Sequence, residues 1–133
     1  MEKLLALHRY YIGANRFREH FEDKLSSFSS IIDSEELFIS DCGLFLSHWY
    51  AALYVVIEGW KETKLTDTII DSLLSSENVE LLKRFRNGIY HYQQHYYDPR
   101  FLNLLEAEDI VPWVRQLNQE FGRYFLTHLE TTN

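Results

Sequence analysis

Residues 86 to 98 read RNGIYHYQQHYYD, and their side-chain types support two chemistries. Arg86 carries a permanent positive charge on a planar fork that can grip two phosphate oxygens. His91 follows five positions later and is the side chain best suited to moving protons near neutral pH. Asn87 adds an amide that can orient either the imidazole or a substrate. These are the parts of a metal-free RNA cleaver. A base takes the proton of a ribose 2′-hydroxyl, the oxygen attacks the adjacent phosphate, and a cation offsets the charge that builds up. The same stretch contains a second set: His91, His95 and Asp98, at i, i+4 and i+7 of a helix, could reach one metal ion from successive turns. HYQQH lacks the glutamate that comes after the first histidine in zinc proteases of the His-Glu-x-x-His type, so that chemistry would have no general base.

Five helical segments are predicted to carry these residues. The first runs from about Glu2 to Phe28, where Leu4, Leu7, Tyr11, Ala14, Phe17, Phe21 and Leu25 recur at intervals of three and four. Serines end it, and Asp33 or Ser34 can cap the segment after them. A second, broadly apolar and therefore central, covers about Asp41 to Trp60. Thr66 or Asp67 caps a short third, and Ser75 or Ser76 opens a fourth that reaches about Tyr97, where Asp98-Pro99 stops it. After a loop with room for a short turn, a last helix starts near Asp109, tolerates Pro112 in its first turn and reaches about Leu129. The expected fold is all-α: one domain over residues 1–133, an antiparallel four-helix bundle with an extra short helix.

At about 100° per residue, Leu82, Phe85, Ile89, Tyr92 and Tyr96 form the expected core stripe of the fourth helix. Asn87, His91, His95 and Asp98 fall on one flank, and Arg86, Tyr90, Gln93 and Tyr97 on the other. Lys83 and Gln94 point directly away from the core. Arg86 and His91 are then about 140° apart, an awkward arrangement for one phosphate served within one subunit. Two such helices meeting across a two-fold axis would bring the arginine of each near the histidine of the other. The candidate catalytic set is Arg86, Asn87 and His91, with Lys83, Arg84, Tyr90, Gln94 and His95 placed to hold substrate and with no metal or other cofactor.

Composition narrows the class. With 133 residues, 46% hydrophobic and 16% aromatic, the chain is too apolar for disorder and long enough for its own core. Gly and Pro total seven, too few for an all-β chain with many hairpins. The single Cys42 excludes an internal disulfide and reads as a small buried residue. The most apolar stretch, residues 44–60, contains His48 and Glu58 and is barely membrane length. With no signal-peptide pattern at the start, a cytoplasmic protein without a membrane partner is expected. A net charge of −7 argues against bulk electrostatic attachment to nucleic acid, while Lys83, Arg84, Arg86 and Arg100 leave the charge uneven.

RNGIYH, on a late helix of a small all-α chain, resembles the signature of the HEPN superfamily: an Arg, a polar residue directly after it, and a His four to six positions beyond the Arg. RYFLTH at 123–128 repeats the Arg-to-His interval without the polar residue. The resemblance implies a helical bundle that dimerises, with the motifs of both subunits lining one cleft. It also implies metal-independent endoribonuclease activity of toxin or defence type, with an antitoxin protein as a possible partner. Arg86 would bind and polarise the phosphate, Asn87 would support it, and His91 would be the acid-base group. Some relatives carry a Tyr two positions after the His, where a nucleotidyltransferase modifies them; this chain has Gln93 there. Other members have lost activity and serve as binding modules, the second reading of the same residues. On a bland reading Arg86 pairs with Glu80 or another acid, the tyrosines pack core or an interface, and His48-Trp49-Tyr50 is core with polar tips.

Overall fold

The computed structural model describes residues 1–26 and 40–130. The Asp33 or Ser34 cap and the last residues of the predicted first helix lie outside them. Among the described residues every regular element is helical: α1 Glu2–Ser26, α2 Asp41–Glu62, α3 Thr68–Leu73, α4 Asn78–Tyr90, α5 Pro99–Glu106 and α6 Ile110–Glu130.

The long helices run antiparallel, as their paired contacts show. Phe17 stacks on His48 and His20 on Phe45, so α1 and α2 run in opposite directions. His8 meets Phe125 while Asn15 meets Asn118, which sets α6 against α1 in the same way. His48 contacts Tyr90 and Glu58 contacts Arg86, giving the same relation between α2 and α4. Helix α2 is the centre of the bundle, with Trp49, Leu53, Val56, Ile57 and Trp60 almost fully buried. Each buried indole N–H finds an acceptor, as a polar handle in a core must. Trp49 Nε1 donates to Asn118 Oδ1 at 3.1 Å, Trp60 Nε1 to Asp71 Oδ1 at 3.0 Å, and Trp113 Nε1 to the Leu73 carbonyl at 3.0 Å.

Local chemistry explains the helix ends. Ser40 caps α2 by accepting from the Gly43 amide, and Lys64, with φ 57°, takes the left-handed position after α2 that usually falls to glycine. Of the two expected caps of α3, Asp67 is the one used: its carboxylate accepts from the Ile69 and Ile70 amides and receives Arg123 of α6 at 2.7 Å. Burial pushes the Asp67 carboxyl up, but the Ile70 amide and Arg123 outweigh it and hold the group below the usual carboxylate range. Ser76 does accept from the Asn78 amide, although helix α4 itself begins two residues later.

The fold departs most from the sequence-based expectation at the end of α4. The helix stops at Tyr90, and residues 91–98 are not helical. Tyr92 and Tyr96, expected in the core stripe, are 92% and 59% exposed, whereas Leu82 and Phe85 are buried as expected. Asp98-Pro99, read as a stop, is the start of α5: Asp98 accepts from the Arg100 amide and Pro99 sits in the first turn. Phe101 of α5 packs edge-on against Phe85 of α4 with ring centroids 5.9 Å apart. Gly88 makes this return possible, since a β-carbon there would lie 2.7 Å from the Phe101 ring. A helix continued to Asp98 would place that residue about 12 Å beyond Tyr90, and α5 could not fold back onto Gly88.

Candidate functional site

Arg86 is half-buried on the α2-facing side of α4. Its Nη1 donates to Glu58 Oε1 at 2.6 Å, its Nε to the Asn87 carboxamide oxygen at 3.2 Å, and its guanidinium lies over the Tyr54 ring at 4.8 Å from the centroid. Burial and then Glu58 push the Tyr54 hydroxyl up, so the ring that faces the cation is a neutral phenol. The arginine is therefore fixed from three directions. Its acidic partner is Glu58 of α2 rather than Glu80 of its own helix. With one Nη1 hydrogen and the Nε hydrogen engaged, Nη2 is the nitrogen without a hydrogen-bond partner among the described residues, and a side-on two-oxygen grip on phosphate through Nε and Nη2 requires Asn87 to give way.

Asn87 Oδ1 serves the arginine, and the Asn87 backbone carbonyl accepts from the His91 N–H at 3.1 Å. Asn87 thus touches both ends of the motif, one by side chain and the other by main chain. His91 is the C-cap of α4, with extended φ −119° and ψ 132°. It is off the helix, so its expected angular separation from Arg86 no longer applies. The imidazole is exposed.

The loop after His91 is pinned by residues to which the sequence pattern assigns no such role. Gln93 Nε2 donates to the His91 carbonyl at 3.0 Å, and Gln93 Oε1 accepts from Arg100 Nη1 at 3.0 Å. Arg100 also reaches both oxygens of Asp98 at 3.2 and 3.1 Å. The hydrogen bond from the Arg100 amide, and after it the Arg100 guanidinium, holds the Asp98 carboxyl below its usual range despite some desolvation. The Asp-Pro pair was the available signal, because an Asp before a Pro opens a helix as well as closing one.

An open cleft of about 420 Å³ lies beside this loop, lined among others by Tyr90, His91, Tyr92, His95, Tyr96 and Phe101. It brings together three of the expected site residues, Tyr90, His91 and His95. Arg86 and Asn87 are outside its lining, as are Lys83, Arg84 and Gln94. Gln94 and His95 contact each other at 3.3 Å, and Lys83 is exposed on the outer side of α4. Tyr90 links the cleft to the arginine side: its hydroxyl is 3.4 Å from His48 Nδ1, and the Arg86 charge partly offsets the burial that pushes its ionisation up. His48 is half-buried, while its neighbours Trp49 and Tyr50 are core.

The metal alternative loses its geometric premise, because His91, His95 and Asp98 do not share a helix and the Asp98 carboxylate is occupied by Arg100. Among the described residues no group of three His, Cys, Asp or Glu side chains could hold a metal ion. Nor, among them, is any helix long and apolar enough to cross a membrane. No family model, curated protein or solved structure matches the chain.

Proposed function

We propose that the junction of α4 and α5 is the active site of a metal-independent endoribonuclease of HEPN type that works as a homodimer. The observation that carries this reading is the position of His91. It is an exposed imidazole at a helix end, held by Asn87 and Gln93 through its main chain, beside a cleft walled by exposed tyrosines. Unpaired bases can stack on Tyr90, Tyr92 and Tyr96, which are 51%, 92% and 59% exposed. In the proposed reaction His91 takes the 2′-hydroxyl proton, and the 2′-oxygen bonds to phosphorus as the bond to the 5′-oxygen breaks. The leaving oxygen receives a proton, giving a 2′,3′-cyclic phosphate and a 5′-hydroxyl end.

Arg86 supplies the cation. Because it stands outside the lining of its own subunit's cleft, the reading assigns the phosphate bound near one His91 to the Arg86 of the partner copy. The net charge of −7 suits brief contact with RNA rather than tight binding.

One observation favours a second reading, a non-catalytic binding module. Glu58 already neutralises Arg86 at 2.6 Å, as a purely structural arginine would be neutralised. Cleavage of a mixed RNA pool in excess EDTA separates the two. The proposal expects cyclic phosphate ends from the wild type and losses of about a hundredfold or more for His91→Ala and Arg86→Ala. Arg86→Lys should not restore activity, because lysine lacks the planar fork. No cleavage by the folded dimer, or undiminished cleavage by both alanine variants, would overturn the ribonuclease reading.

A further inference from the structure

A second polar site lies where α1 and α6 meet. A groove of about 480 Å³ runs between them, lined by Tyr11, Asn15, Arg18 and Glu22 from α1 and by Arg115, Asn118 and Gln119 from α6. Its floor is a connected hydrogen-bond network. Asn118, 4% exposed, accepts from the buried Trp49 indole and donates to Asn15 Oδ1 at 3.1 Å, and that same oxygen accepts from Arg18 Nε at 2.7 Å. Arg18 is thereby held in place, with Nη1 on Glu22 at 2.7 Å. Arg115 differs: it makes no hydrogen bond or ion pair among the described residues, in a chain whose acids outnumber its lysines and arginines 20 to 13.

Arg115 also lines a second, more enclosed cavity of about 180 Å³ whose walls are Phe21, Leu46, Trp49, Leu105, Ile110 and Val111, with Tyr50 beside them. A cavity of about 150 Å³ with apolar walls is large enough to take benzene. An apolar chamber of ring size thus adjoins an arginine that has no acidic partner among the described residues, and beyond that arginine lies a groove containing a second, immobilised one.

We infer that this composite pocket binds a small carboxylate with a ring-sized apolar body. The body occupies the chamber under α5 and α6, and the carboxylate lies on Arg115 at the mouth of the groove. Charge complementarity selects the head, since a carboxylate matches the guanidinium fork with two parallel hydrogen bonds. The chamber selects the body, because its walls exclude a polar group that would lose its water without a replacement partner. The Tyr50 hydroxyl, pushed up to about 12 by burial against the opposing charge of Arg115, is a neutral group at the chamber side. The site is independent of the α4–α5 junction and of any activity there.

The test is an NMR titration of the full chain with benzoate, monitored at the Trp49 indole N–H and the Asn118 carboxamide, with benzyl alcohol, acetate and inorganic phosphate titrated separately. The expected result is saturable benzoate binding that shifts both signals, with benzyl alcohol and acetate each weaker by about tenfold or more. Arg115→Ala should weaken benzoate by a similar factor without unfolding the protein, because that side chain is exposed. Leu105→Phe, which fills the chamber, should abolish benzoate binding. Equal affinity for benzoate and benzyl alcohol, phosphate binding as tightly as benzoate, or no shift up to about 20 mM benzoate would each overturn the inference.

Discussion

Asn118→Ala tests whether the buried network between α2, α6 and α1 holds the bundle as described. Asn118 is the acceptor for the Trp49 indole, and the two residues are 4% and 1% exposed. Alanine strands that indole N–H in the core, at about 1–3 kcal/mol. It also deletes the hydrogen bond to Asn15, worth about 0.5–1.5 kcal/mol. Together these amount to about 3 kcal/mol, or a fall in Tm of about 10 °C for a chain of this size. Urea and thermal unfolding monitored by circular dichroism would measure it. The companion variants are Trp49→Phe, which removes the donor, and Trp49→Phe with Asn118→Leu, which removes both partners and fills the space. The double variant should cost about 1–2 kcal/mol less than the sum of its two single variants. An Asn118→Ala protein melting within about 3 °C of the wild type, or strict additivity in the cycle, would refute the reasoning.

Two further perturbations concern helix ends and close contacts. Asp67 has a folded-state pKa below its unfolded value, so its stabilisation is fully present above an unfolded pKa of about 3.9 and is lost as pH falls through the lower folded value. Asp67→Ala should cost about 1–2 kcal/mol at neutral pH through the lost cap, and the gap from wild type should narrow in acid denaturation toward about pH 2–3. Gly13 and Gly88 make a matched pair, since a β-carbon meets nothing at Gly13 but meets Phe101 and Arg100 at Gly88. Gly13→Ala should raise stability by about 1 kcal/mol. At Gly88 the same gain is outweighed by overpacking of about 1–3 kcal/mol, so the two alanine variants should move the urea midpoint in opposite directions.

Much of the fold was legible in the chain because helix periodicity and caps are local. The α1 stripe of Leu7, Ala14 and Phe21, the central α2 and the start of α6 near Asp109 all derive from spacing and end residues. The end of α4 was not legible. Residues 91–98 carry an apolar periodicity, but periodicity reports only what could be buried, and Tyr92 and Tyr96 are exposed because α5 takes the space against Phe85 and Gly88.

The same division holds for the sites. The types and order of Arg86, Asn87 and His91 are properties of the sequence, and so is the chemistry they could perform. Their arrangement was decided by contacts between helices. Glu58, 28 positions away in the chain, meets Arg86 because α2 runs antiparallel beside α4, and Arg100 fixes the loop after His91 because α5 folds back onto α4. Asn15 and Asn118 meet across 103 positions with no sequence mark of their pairing. Local pattern records the propensity of one segment, whereas a hydrogen bond between distant residues exists only once the packed helices have set the distance between them.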